Sequence, residues 1–326
     1  NIYKFAGQGH NMSGITGIIS AKYHTDMMQK TTFILAGGFV LLWNSGFIGA
    51  DFGLNYSGPF TLLFWRYLAV TLVIFFYLLA RKRFRWVGWK VAAPNMLIGV
   101  LAHGVWLACV LLALDYQVPA GVVALVVALQ PLATAAFSGL VAGEKTNFYQ
   151  WLGVVIGFFG VALTVTSRMD FGSYSSVFGY LIPLGSVIGI TAASLIQRRM
   201  EVNKGANKLP VDLALFYQSL ATTFALFLPA IFLEELSTQW EAEFIYTMLW
   251  LILAVSLGAY GLMWLLIERI DATRVASLFY LGPPVTMFMA WVAFGDKVQM
   301  MDVAGLIIVF AGVLLSQFNK KESLIK

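Results

Sequence analysis

Beyond its first thirty residues the chain runs as a series of apolar blocks, each roughly 18 to 25 positions long and parted from the next by a short polar turn. A helix rising 1.5 Å per residue crosses a hydrocarbon core about 30 Å thick in such a length. Lipid offers backbone groups no hydrogen-bond partner, so blocks of this kind satisfy their own amides as helices. Strands of a membrane barrel would be about ten residues of alternating polarity, and no stretch here alternates that way. The expected spans are 31–51, 59–80, 91–113, 118–142, 148–166, 176–197, 210–233, 244–267, 273–294 and 300–318. Composition agrees with them, because 60% hydrophobic and 11% charged residues leave too little ionic surface to solvate a soluble fold of 326 residues.

The basic residues decide which way the spans run. If residues 1–30 form a polar cytoplasmic leader, the inner loops hold Arg81, Lys82, Arg83, Arg85, Lys90, Lys145, Arg198, Arg199, Lys204, Lys208, Arg269 and Arg274, and the 319–326 tail holds Lys320, Lys321 and Lys326. The outer loops then hold only Arg168 and Lys297, beside acids such as Asp51, Asp115, Glu234 and Glu235. Lysine and arginine near span ends are retained on the cytoplasmic face, so both termini are expected there, in a bacterial inner membrane. The same placement excludes nucleic acid as the reason for the net charge of +5. The leader lacks the apolar core of a secretory signal and reads as disordered, with Met27 and Met28 as an alternative start. Cys109 is the single cysteine, and no histidine group has metal-ligand spacing, so neither disulfide, metal nor cofactor is expected.

Laid on itself, the chain matches without gaps between residues 125–164 and 277–316. The constant shift of 152 positions pairs Pro131 with Pro283, Gly143 with Gly295, Glu144 with Asp296, Gly153 with Gly305 and Gly160 with Gly312. It also lays Phe64-Trp65-Arg66 on Phe216-Tyr217-Gln218. Two halves, 31–166 and 167–318, of five spans each would enter the membrane with opposite senses. The expected fold is therefore an all-α integral membrane protein of ten transmembrane helices, built as two inverted five-helix repeats.

These residues resemble the EamA type of the drug/metabolite transporter superfamily. The resemblance rests on Trp43 with Gly46-Phe47, on Pro59 followed by Arg66, and on the doubled run from Leu129-Gln130-Pro131 to Gly143-Glu144 and from Leu281-Gly282-Pro283 to Gly295-Asp296. It implies a ten-helix carrier with a central cavity, the fifth and tenth helices at the periphery, and exchange between inward- and outward-open states. Asp296 replaces the usual glutamate of the second copy, and Gln218 stands where the first half has Arg66.

Arg66 is the one full charge expected well inside a span, where it costs roughly 2.5 kcal/mol or more. It either binds a carboxylate or phosphate of the substrate or satisfies carbonyls of broken helices. Pro131, Pro283 and Pro284 interrupt corresponding spans, the usual mark of a transporter site, with Gln130 and Tyr280 beside the breaks. His103, with Trp106 on the next turn, either couples protons or is a hydrogen-bonded helix residue. Trp43, Asn44, Tyr217, Gln218, Tyr260 and Trp264 supply further aromatic and amide groups for a cavity wall, or for packing alone. Gly153 and Gly157 allow close helix approach, as a weak homodimer face or within a monomer. Glu144 and Asp296 read as caps or as gates.

The expected activity is secondary transport, by export or exchange, of small metabolites such as amino acids, without a phosphate-binding loop for ATP. Efflux of amphipathic drugs is the alternative, and a receptor or scaffold a more remote one. The expected partners are a small-molecule substrate and the lipid bilayer. An enzyme would need a nucleophile and base, or a metal, at membrane depth, for which histidine is too scarce.

Overall fold

The computed structural model describes residues 11–142, 148–202, 209–270, 275 and 277–317. Among them there is no strand, only an isolated bridge between Ser57 and Thr238. Eight helical stretches are long and apolar enough to cross a membrane: Thr31–Gly53, Pro59–Ala80, Trp89–Asp115, Ala120–Gly139, Phe148–Arg168, Tyr174–Met200, Val211–Glu234 and Ala242–Ile267. Two shorter apolar helices follow, Phe279–Phe294 and Met300–Ser316. The ends of the last two expected spans, at 273–276 and 318, lie partly outside the described residues.

The helices are α1 (Asn11–Gly53), α2 (Pro59–Ala80), α3 (Trp89–Gly99), α4 (Trp106–Asp115), α5 (Ala120–Val127), α6 (Gln130–Ala142), α7 (Phe148–Arg168) and α8 (Tyr174–Val202). They continue as α9 (Val211–Glu234), α10 (Ala242–Leu249), α11 (Tyr260–Arg269), α12 (Gly282–Phe294) and α13 (Met300–Gln317). Helix α1 starts at Asn11, well inside the leader expected to be disordered, and no proline interrupts it before Gly53. The Gly143-Glu144 pair lies outside the described residues.

Three spans are interrupted where a purely α-helical ladder would continue. Between α3 and α4 lies a π-helical stretch, Val100–Val105, and between α10 and α11 a longer one, Trp250–Ala259. Helix α5 ends at Val127 and α6 begins at Gln130, directly before Pro131. Proline there has no amide for the Val127 carbonyl four residues back. Helix α12 opens with Pro283 and Pro284 in its first turn, where the missing amides cost least, after a 3₁₀ turn at Phe279–Leu281. It closes on Gly295, whose φ of 74° suits a residue without Cβ.

Two antiparallel helix pairs frame the bundle. On one side α7 lies against α13 with almost no side chain between them. A Cβ on Gly153 would sit 2.5 Å from the Gly312 carbonyl oxygen, and one on Gly160 would sit 2.7 Å from that of Gly305. Thr164 extends the seam by donating to the Met301 carbonyl at 3.1 Å. At its end Arg168 Nε donates to Asp302 Oδ1 at 2.8 Å, and Arg168 also bonds the Lys297 carbonyl at 2.8 Å. In the other pair α2 crosses α9, with Thr71 and Thr223 hydroxyls 3.2 Å apart. Phe64 stacks near Phe227 at 5.5 Å and Phe75 near Phe216 at 6.0 Å. Both α2 and α9 bury one side in the main core and turn Phe76, Phe224 and Phe232 outward, as helices facing lipid do.

Candidate functional site

A cavity of about 310 Å³ sits in the middle of the bundle, between the broken helices and the two π-helical spans. Its walls include Trp43 and Asn44 of α1, His103 and Trp106 of the first π-helical span, Gln130 and Pro131 at the α5–α6 break, and Gln218 of α9. Tyr260 of α11 and Tyr280, Gly282 and Pro283 at the start of α12 complete it. Ten of the residues singled out from sequence therefore converge on one space. Ser194, Gln197 and Phe279, which were not singled out, share it.

The polar wall groups are mostly held by short local bonds. Asn44 donates to the Val40 carbonyl at 2.7 Å and accepts from Thr286 Oγ1 at 3.1 Å, tying α1 to α12. Gln130 bonds Thr134 and Ser194, each at 3.3 Å, tying the start of α6 to α8. His103 Nε2 lies 3.3 Å from Gln218 Oε1. With the amide oxygen as acceptor, Nε2 carries the proton and Nδ1 keeps a lone pair. That Nδ1 and the indole Nε1–H of Trp106 are both buried without a hydrogen-bond partner. Buried polar atoms are nearly always paired, and these two orphans on successive turns belong to residues that line the cavity.

The aromatic side chains form a continuous layer across one end of this cavity. Trp43 stacks on Trp106 with centroids 6.1 Å apart and meets Tyr260 at 5.3 Å and Phe279 at 5.0 Å. Behind the layer is a second, small pocket of about 30 Å³, which shares Trp43, Phe47, Trp106 and Tyr260 as walls and is also lined by Arg66. Arg66 is thus next to the main cavity rather than on its wall. It is 4% exposed, its Nε donates to Ser256 Oγ at 2.9 Å, and its guanidinium lies 5.9 Å from the Tyr67 ring. The described ion pairs are Arg83 with Asp212 and Arg168 with Asp302, and neither includes Arg66.

Two expected residues fall elsewhere. Tyr217 points away from the cavity, its hydroxyl donating to the Arg85 carbonyl at 2.9 Å and its ring meeting Trp86 at 5.9 Å. Its neighbour Gln218 takes the inward position because adjacent helical residues face different directions. Pro284 belongs to the first turn of α12 without lining the cavity. The Trp264 side chain lies outside the described residues. Ser256 and Tyr67 were missed, and a serine beside Gly258 in an apolar block was the available hint.

The cavity leans toward the basic end of the bundle. Gln197 precedes Arg198, and Met263 and Phe279 flank the segment that carries Arg269 and Arg274. The opposite end is sealed between α2 and α9. Glu234 Oε1 accepts from the Phe60 amide at 3.1 Å and Oε2 from the Thr61 amide at 2.7 Å, so a carboxylate from the end of α9 caps the positive end of α2. Gln239 donates its amide to the Tyr56 carbonyl at 2.8 Å, and Trp65 bonds Thr238 at 3.1 Å in the same seal.

A membrane-embedded cavity walled by broken helices accords with what the chain is similar to. The model of the EamA-like transporter family matches it twice, over residues 30–166 and 177–318. The chain belongs to this family. A probable amino-acid metabolite efflux pump of Salmonella typhimurium is 23% identical over 304 residues, covering 90% of this chain and 96% of the relative. An uncharacterized transporter of Bacillus subtilis is 25% identical over 90% of this chain and 94% of its own length. An uncharacterized inner membrane transporter of Escherichia coli K12 is 26% identical over 85% and 87%. A solved crystal structure shares the fold with a TM-score of 0.60 at 18% identity, over 90% of this chain and 98% of that one. As an EamA-like protein the chain is a membrane transporter.

Proposed function

We propose that this EamA-like protein is a secondary carrier that exports small metabolites related to amino acids, binding them in the 310 Å³ cavity. The cavity carries the reading: it has the volume for such a solute, the broken helices typical of transporter sites, and two unpaired polar atoms on its wall. The similarity to the Salmonella protein named a probable amino-acid metabolite efflux pump supports the substrate class and the direction.

In this reading the carrier has ten spans in two inverted repeats, with α12 and α13 in the last pair. Many contacts support a pseudo-two-fold axis. Thr71 and Thr223, 152 positions apart, touch one another, as a residue on such an axis must touch its own counterpart. Phe64 meets Phe227 while Phe75 meets Phe216, the same contact made twice under that shift. The Gly153–Gly312 and Gly160–Gly305 approaches are related in the same way. The π-helical stretches fall in equivalent spans, and the family match occurs once per half.

With the basic end cytoplasmic, as the lysine and arginine distribution indicates, both termini are cytoplasmic and the protein sits in the cell membrane in an inward-facing state. Counterflow in proteoliposomes tests the reading. Preloaded unlabelled amino-acid metabolites should drive uptake of label above the level of empty vesicles. Equal uptake with and without protein, across a panel of such solutes, would reject it.

A further inference from the structure

The cavity and its side pocket have one formal charge between them. Arg66 is the charged side chain lining either space among the described residues, and no aspartate or glutamate lines them. Its described polar contact is a neutral hydroxyl, and neither described ion pair includes it. An arginine buried at membrane depth without an anion is a standing cost that one hydroxyl and the Tyr67 ring offset only in part. An amine entering the same space would meet repulsion from Arg66 and would find neutral acceptors and aromatic faces but no carboxylate among the described wall residues.

We propose that the substrates are monoanionic carboxylates with a flat apolar body and no free cationic amine. Their carboxylate would occupy the Arg66 pocket and their body the aromatic-walled cavity. The proposal deepens the carrier reading above and rests on it for the site's location. The pocket of about 30 Å³ admits a group the size of a carboxylate and little more. Trp106 is a wall of both spaces, and its unpaired Nε1–H would give the carboxylate a second donor. The unpaired His103 Nδ1 offers a lone pair to a hydroxyl or amide N–H beside that carboxylate. Trp43, Tyr260 and Phe279, which meet at 5.0 to 5.3 Å, would sandwich a planar body.

The test compares four probes of one shape on the purified full chain in lipid, read by tryptophan fluorescence: 3-phenyllactate, 3-phenylpropionate, phenylalanine and 2-phenylethylamine. The acid with the hydroxyl should bind at least tenfold tighter than phenylalanine and the amine, and a few-fold tighter than 3-phenylpropionate. Arg66→Gln should weaken both acids tenfold or more and leave the amine unchanged or improved, with a ligand-free melting temperature no lower than that of the parent. Arg66→Lys should fall between, because an ammonium keeps the charge and loses the planar fork. The proposal is overturned if the amine or phenylalanine binds as tightly as the acids, or if no acid binds. Arg66→Gln holding 3-phenyllactate at the parent affinity would overturn it too. The wild-type series decides even if a variant fails to fold. Counterflow of phenylalanine without acid binding would sink this inference and leave the carrier standing, whereas acid binding without exchange would sink the carrier and leave the site.

Discussion

The two antiparallel helix pairs solve the same packing problem in opposite ways. Between α7 and α13 the backbones themselves touch, glycine against carbonyl, and the end of the seam is locked by Arg168 and Asp302, of which Asp302 is 1% exposed. Between α2 and α9 the contact is made through side chains: two threonine hydroxyls, two phenylalanine pairs and the Glu234 cap at one end. Glycine has no rotamers to change, so the first interface has a single close-packed arrangement. Hydroxyls and rings can re-pair after a small slide, so the second can hold more than one arrangement at similar cost. The lesson is that one pair is held by backbone contact and the other, which borders the cavity through Gln218, by side chains that can re-pair.

Breaking the first interface should cost the most. Asp302→Ala leaves the Arg168 guanidinium without its anion, and a loss of about 3 kcal/mol is expected. A fall in melting temperature in detergent would show it, and an unchanged melting curve would mean that the seam does not depend on its lock. Gly160→Leu pushes a side chain against the Gly305 carbonyl and Ile308, for an expected loss of about 2 kcal/mol. The same substitution at Gly37, where a Cβ meets nothing within 4 Å, is the control and should leave the melt in place.

The second interface should respond in rate more than in stability. Glu234→Gln keeps one acceptor for the α2 amides and removes the charge that suits the helix end, worth about 1 kcal/mol in a partly buried place. That shifts the balance between sealed and open forms by about fivefold. Labelling from the acidic side of a cysteine introduced at Ala50, which lines the small pocket and not the main cavity, should rise accordingly, and unchanged labelling would show that the cap does not hold that end shut. Thr71→Val deletes one hydroxyl of a pair whose Thr223 partner also bonds the Ser219 carbonyl at 2.8 Å, so the expected loss is the smallest, about 0.5 kcal/mol. A loss as large as that of Gly160→Leu would erase the distinction between the two interfaces.

The membrane spans, the doubled pattern and the proline breaks were legible in the chain because each depends on local chemistry. Apolar length sets a span, and a proline removes an amide wherever it stands. Most of the cavity wall was legible for the same reason: Asn44, His103, Gln130 and Gln218 are polar side chains inside apolar helices, and such groups must face the bundle interior. Arg66 was legible as an unusual charge, yet its seat behind the aromatic layer was not.

By itself, then, the sequence determined that this chain crosses a membrane in helices, that its halves repeat with a shift of 152 positions, and which polar groups lie at depth. Only the tertiary structure decided that two spans relax into π-helix, that Trp43 and Trp106 stack as shared walls of the cavity and the Arg66 pocket, and that Glu234 reaches across to cap α2. The physical reason is distance along the chain. Hydropathy and helix breaking act within a few residues, whereas Arg66 and Ser256 are separated by 190 positions, and Glu234 and Thr61 by 173, and meet only when the bundle has packed.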